Sequence, residues 1–155
     1  MGKLDGKVAL VTGGNRGIGK AIARALAAEG AALTIAARRA DALSETAREM
    51  AAEFSVEVLD VPTNVADEAQ VEALFAHAQE RHGRLDILIN NAGITRDALL
   101  MRMNESQWDE VIQTNLKGAF FGMKAAIRPM MKNKFGRIIN ITSIVGLTGN
   151  PGQAN

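Results

Sequence analysis

Between an apolar run of strand length, Lys7 to Val11, and a helical pattern that opens at Gly17, the chain places Thr12-Gly13-Gly14-Asn15-Arg16-Gly17-Ile18-Gly19. Glycines at such a junction permit a tight turn, leave the backbone bare enough for a bulky anion to approach, and let the following helix pack closely on a sheet. The unpaired N–H groups at the helix start favour negative charge beside them. The segment therefore predicts a βα unit with an anion site at the carboxyl end of its strand. The spacing is G-x-x-x-G-x-G rather than G-x-G-x-x-G, and a tight turn with no ligand is the alternative that this segment alone leaves open.

The rest of the chain repeats the alternation. Strands are expected at Lys7–Val11, Ala32–Ala37, Val56–Val61, Leu85–Asn90 and Arg137–Thr142. Helices are expected over Gly17–Glu29, ended by Gly30, and over Asp41–Phe54. Asp67 caps a third, with Val71, Leu74, Phe75 and Ala78 at core spacing. A long helix over about 105–132 carries Trp108, Ile112, Leu116 and Phe120 on one stripe, with Pro129 to kink or shorten its end. Pro62 stops the third strand from running on. Strands joined by helical crossovers imply an α/β fold, a Rossmann-type doubly wound parallel sheet with helices on both faces. No linker or repeat interrupts it, so residues 1–155 read as a single dinucleotide-binding domain.

Composition narrows the function. With 155 residues, 47% hydrophobic, 23% charged and a net charge of +1, the chain has material for one core. It lacks a membrane-length apolar run and a signal peptide, and a cytoplasmic protein with no membrane partner is expected. It has no cysteine, which removes thiolate zinc sites and cysteine nucleophiles. His77 and His82 are five apart rather than four, so they do not stack as paired ligands; no metal site is expected, and both read as surface residues. Near-neutral charge and 4% aromatics give no basis for nucleic-acid binding.

Four separated motifs in order carry a resemblance: Thr12 to Gly19, Asn90-Asn91-Ala92-Gly93, Asn115 within QTNLKG, and Ser143 after the fifth strand. Together they resemble the short-chain dehydrogenase/reductases. The stretch NNAGITRDALLMRM and the segment from Asp109 onward are similar to the bacterial 3-oxoacyl-[acyl-carrier-protein] reductases of fatty-acid synthesis, with acetoacetyl-CoA reductases looking alike over the same stretches.

The resemblance implies a nicotinamide cofactor held by Gly13, Gly14, Asn15, Arg16, Gly17, Ile18 and Gly19, with Asn64 and Val65 at the adenine and Asn91, Ala92 and Gly93 beside the ribose and nicotinamide. A carboxylate about 20 residues past the loop would bind a ribose 2′-hydroxyl. This chain has Ala37-Arg38-Arg39 there, and Arg38 with Arg16 suits the 2′-phosphate of NADP(H). Two arginines merely opening an exposed helix are the plainer alternative.

For catalysis, the resemblance gives Ser143 the substrate carbonyl and Asn115 a water in a proton relay. The family's tyrosine and lysine have no counterpart, because the chain contains no tyrosine. The expectation is an incomplete domain, nearly or wholly inactive, that exposes an apolar sheet edge and one face of the long helix. Arg128, Lys132, Lys134 and Arg137 read either as a solvated helix end or as a dock for acidic acyl-carrier protein; acyl-CoA is the other carrier implied. Complete relatives are expected to be homotetramers. The alternatives are a reductase of acetoacetyl-CoA or another small ketone, and a noncatalytic nucleotide-binding module.

Overall fold

The computed structural model describes residues 2–155. Five strands, β1 (Val8–Thr12), β2 (Ala32–Ala37), β3 (Val58–Pro62), β4 (Ile87–Asn90) and β5 (Arg137–Asn140), form one parallel sheet in the order β3-β2-β1-β4-β5. The chain winds outward from β1 to β3, then crosses back to lay β4 on the other side of β1. That reversal puts α1 (Gly17–Ala28) and α2 (Ala40–Phe54) on one face of the sheet. On the other face lie α3 (Glu68–His82) and the end of a long helix, as the doubly wound reading requires.

The apolar runs explain this sandwich. Side chains alternate faces along a strand, so a strand covered on both sides is apolar throughout. Ala9, Val11, Leu33, Ile35, Ile87 and Ile89 pack with Ala23, Ala27, Leu43 and Met50 of α1 and α2. Their neighbours Leu10, Ala36 and Leu88 pack instead with Val71, Leu74 and Phe75 of α3 and with Ala126 and Met130. Asp67 caps α3 as expected, accepting from the Ala69 and Gln70 amides.

Strand ends differ from expectation where side chains take over the hydrogen bonding. β4 starts at Ile87, not Leu85, behind the fully buried Asp86. The Asp86 carboxylate accepts from the Val8 amide at 2.9 Å and from the Arg84 guanidinium at 2.8 and 2.7 Å, and Lys7 Nζ lies 3.8 Å away. Burial alone would raise its pKa, but these donors outweigh it and hold the carboxyl below the ordinary aspartate value.

The long helix runs from Glu105 to Lys132 as α4 (Glu105–Val111), a π-helical segment over Ile112–Lys117, and α5 (Gly118–Lys132). Pro129 does not end it, since the last turn closes through the Asn133 amide on the Pro129 and Met131 carbonyls. The expected stripe is also on the wrong face. Trp108, Leu116 and Phe120 are 42%, 63% and 51% exposed, while Gly118, Gly122, Ala126 and Met130 face inward. Small residues decide the face because they let the helix approach: a Cβ at Gly122 would stand 2.6 Å from Asn90 Oδ1.

His82 also departs from the surface reading, with its side chain only 1% exposed at the end of α3 beside Glu57, whereas His77 is exposed. Burial, against the pull of Glu57, lowers its pKa. An exposed β5 edge, with Ile139 at 48%, and the outer face of the long helix leave apolar surface uncovered. Among the described residues no helix is long and apolar enough to cross a membrane.

Candidate functional site

The carboxyl ends of β1 to β4 meet in a cleft of about 450 Å³. Its floor is the glycine loop, held by its neighbours rather than by its own residues. Gly13 and Gly14 donate to the Ala36 carbonyl of β2 at 2.7 and 3.3 Å. On the other side, the Thr12 hydroxyl accepts from the Asn91 and Ala92 amides, both at 3.0 Å, and Asn91 Nδ2 donates to the Thr12 carbonyl at 3.0 Å. Gly19 must be bare, because a Cβ there would lie 2.2 Å from Gly13 O and 2.4 Å from Asn91 Nδ2. Gly17 has φ +52°, a conformation that glycine adopts without steric cost.

The start of α1 is open to the cleft. Arg16 precedes the helix with an extended backbone and no capping side chain, and the first turn holds no acidic residue. This contrasts with the Asp67 cap of α3. Unpaired amides at a helix N-terminus are an anion site, and the positive end of the helix dipole adds to it. Arg16, Arg38 and Arg39 line the same cleft, and among the described residues none of them is in an ion pair. β2 leads into these arginines with no carboxylate between. The site thus offers amides at its centre and guanidinium groups at one end.

Of the residues singled out in the sequence, Gly13, Asn15, Arg16, Gly17, Ile18, Gly19, Arg38, Asn64, Val65, Asn91, Ala92 and Gly93 line the cleft. Gly14 does not. It is buried against Ile35, where a Cβ would meet the Ile35 side chain at 3.0 Å, so its smallness serves packing. Asn115, which is exposed, is not in the lining either. Its Oδ1 accepts from the Ile94 amide at 2.9 Å and its Nδ2 donates to the Ile94 carbonyl at 2.9 Å, so it fixes the loop that follows β4. Ser143 lies beyond β5, exposed and outside the cleft lining, with its Oγ accepting from the Val145 amide at 3.2 Å.

Sequence reasoning missed Thr12 as the organiser of the loop, and Thr63, Ile94 and Thr114 in the lining. Thr12, Thr114 and Ile94 each lie within a quoted motif stretch, which was the available signal; Thr63 had only its neighbour Asn64. Lys134 and Arg137 sit where β5 begins, at the opposite sheet edge from the cleft, and the Arg137 and Lys7 cations flank the Phe135 ring at 4.8 and 4.1 Å.

A ligand that fits these donors is elongated and anionic at its middle. A dinucleotide has that form, with its pyrophosphate at the open helix start.

Comparisons with known proteins agree with this geometry. The family model for short chain dehydrogenase matches residues 7–155. The chain is 47% identical over 153 residues to the 3-oxoacyl-[acyl-carrier-protein] reductase FabG of Haemophilus influenzae, covering 98% of this chain and 61% of that protein. It is 46% identical over 152 residues to FabG of Escherichia coli K12, covering 97% of this chain and 60% of that protein. Among solved structures, NAD+-bound xylitol dehydrogenase superposes with a TM-score of 0.94 at 33% identity, over 98% of this chain and 58% of that one. The chain therefore spans about three-fifths of the length of these relatives. A family model matched over residues 7–155, relatives 46–47% identical over nearly the whole chain and a closely superposing solved structure lead to one conclusion: the chain belongs to the short-chain dehydrogenase family.

Proposed function

We propose that this chain is the dinucleotide-binding portion of a cytoplasmic, NADPH-dependent reductase that converts a 3-oxoacyl thioester on acyl-carrier protein to the 3-hydroxyacyl thioester in fatty-acid synthesis. The observation that carries the cofactor half is the uncapped start of α1, facing a cleft that holds Arg16, Arg38 and Arg39. A 2′-hydroxyl needs an acceptor after β2, whereas a 2′-phosphate needs cations, and this cleft presents cations. The xylitol dehydrogenase neighbour binds NAD+, which supports the nicotinamide dinucleotide class; the arginines in the cleft lining support the phosphorylated form within it. The substrate half is supported by the 46–47% identity to reductases of that name.

A reduced nicotinamide bound in the cleft would supply a hydride to the substrate ketone. Ser143 Oγ accepts a hydrogen bond from Val145, which leaves its O–H free to donate to the carbonyl oxygen as charge develops there. Asn115 holds Ile94, and through it the segment after Gly93, against the helix, while its remaining Oδ1 lone pair and Nδ2 hydrogen suit a relay water. The alkoxide also needs a proton from a general acid. With no tyrosine among the 155 residues, the donor and its lysine belong, on this reading, to the length of the relatives that this chain does not span. The exposed outer face of the long helix is consistent with assembly of complete chains as a homotetramer.

The polypeptide of 155 residues is expected to bind NADPH and to reduce acetoacetyl thioester far more slowly than a complete reductase. A rate equal to that of a complete enzyme would refute the proton-donor assignment. A purely nucleotide-binding role is the second reading, favoured by the position of Ser143 outside the cleft lining. Adding the relatives' missing segment separates the two, since only the first reading predicts that turnover appears. Comparing carrier-protein with CoA thioesters then distinguishes fatty-acid synthesis from acetoacetyl-CoA reduction.

A further inference from the structure

The helix that borders the cleft leaves α geometry over Ile112–Lys117, and both ends of this π segment meet the loop after β3. Gln113 Nε2 donates to the Ala66 carbonyl at 2.8 Å, across 47 residues of sequence. At the far end, Gly118 packs on Val65, whose Cγ2 would stand 3.0 Å from a Cβ at 118. Asn115, between them, holds Ile94 through its amide and its carbonyl. Asn64 and Val65 line one rim of the cleft and Ile94 another, while Gln113 lines neither. A π turn carries one more residue than an α turn, so an all-α path would swing one of these contacts off its loop by roughly 100°.

From this arrangement we infer that Gln113 is a positioning residue for the adenine half of the dinucleotide: by holding Ala66 it fixes the Asn64–Val65 rim to the same π turn that fixes Ile94. One piece of helix thereby sets the separation of the two rims. The inference rests on the dinucleotide reading of the cleft and assigns a role to a residue that touches no ligand. The loop has internal bonds of its own, from the Ala66 amide to Asn64 Oδ1 at 3.2 Å and from the Asp67 amide to the Asn64 carbonyl at 3.1 Å. Those bonds shape the loop, and Gln70 Oε1 of α3 accepts from the Asn64 amide at 2.8 Å, but the hydrogen bond that attaches the loop to the long helix is that of Gln113.

The test uses the 155-residue chain with Gln113→Met, which keeps the length of the side chain and removes its donor, and with Gln113→Lys, which restores a donor. Two readouts are needed: amide hydrogen exchange at Ala66, Asp67 and Ile94, and affinity for adenosine 2′,5′-bisphosphate and NADP+. Loss of one hydrogen bond predicts exchange faster by about tenfold at Ala66 and Asp67, little change at Ile94, which Asn115 still holds, and nucleotide affinity lower by about fivefold in Gln113→Met, with the changes recovering in Gln113→Lys. Unchanged exchange at Ala66 and Asp67 overturns the inference, as does faster exchange with unchanged affinity, which would make Gln113 a purely structural contact. If the unsubstituted chain binds no nucleotide at all, the dinucleotide reading itself fails and takes the ligand role with it; the exchange response then judges the mechanical link alone.

Discussion

Thr12 shows how a single side chain can set the geometry of the cleft without touching what the cleft binds. Its buried hydroxyl accepts two amides, from Asn91 and Ala92, and so joins the glycine loop to the end of β4. Thr12→Val keeps the shape and leaves both amides without an acceptor. The expected loss is about 1–3 kcal/mol of unfolding free energy by denaturant titration, with weaker NADPH binding. Thr12→Ser should recover most of both, and equal stability of the valine variant would contradict this account. Gly19 makes a sharper case, because a methyl group there collides with the Gly13 carbonyl and with Asn91 together. Gly19→Ala is expected to abolish NADPH binding and to lower the melting temperature. At this scale the sequence was legible wherever a motif had one fixed geometry, as at Gly13, Gly17 and Gly19. It was silent where a role depended on partners distant in the chain: the partners of Thr12 lie 79 and 80 residues away, and the spacing of the glycines says nothing about them.

Among the elements, strand identities followed from apolar runs, and β2 occupies Ala32–Ala37 as expected. The face that the long helix buries did not follow. Its large residues at i, i+4 spacing suggested a core stripe, but the glycines and alanine at 118, 122 and 126 decide the matter by admitting close approach. Asn115 fastens Ile94, a contact that its motif does not specify, and no sequence pattern announced the π segment around it.

The sheet edge opposite the cleft carries a pH dependence with a definite sign. His82 and Asp86 both have folded pKa values below their ordinary ones, so the unfolded chain binds more protons than the folded chain at acid pH. Their contributions are fully present above the unfolded values, about 6.5 and 3.9 respectively, and are lost as pH falls through the lowered folded values. Melting temperature should therefore decline in two stages on acidification. His82→Gln is expected to remove the first stage, and an unchanged pH profile in that variant would show that His82 is not its source.

For the molecule as a whole, the doubly wound topology places the strand ends that carry the motifs at one edge, which is why separated motifs converge on one cleft. The same topology exposes Phe120 and Met131 on the long helix and Ile139 on β5. Apolar surface of this extent promotes association, so the polypeptide should sediment as species larger than 16.5 kDa at high concentration. Phe120→Glu together with Ile139→Lys should shift it toward monomer, and sedimentation velocity measures the change. Fold and cleft were both readable from the order of motifs, because the glycine loop and Asn90-Asn91-Ala92-Gly93 sit at strand ends that the alternating pattern had already located. Ser143 follows β5 as expected, but its exposure was not legible, since that depends on what stands beside β5.

The central claim is that the cleft is built for a dinucleotide with a 2′-phosphate, and titration of the chain with NADPH and with NADH, before and after Arg38→Asp, tests it most directly. The account predicts tighter binding of NADPH, a preference that weakens with added salt, and loss or reversal of that preference in the variant. Equal affinity for the two cofactors in the unsubstituted chain, or a preference that survives Arg38→Asp unchanged, would contradict it.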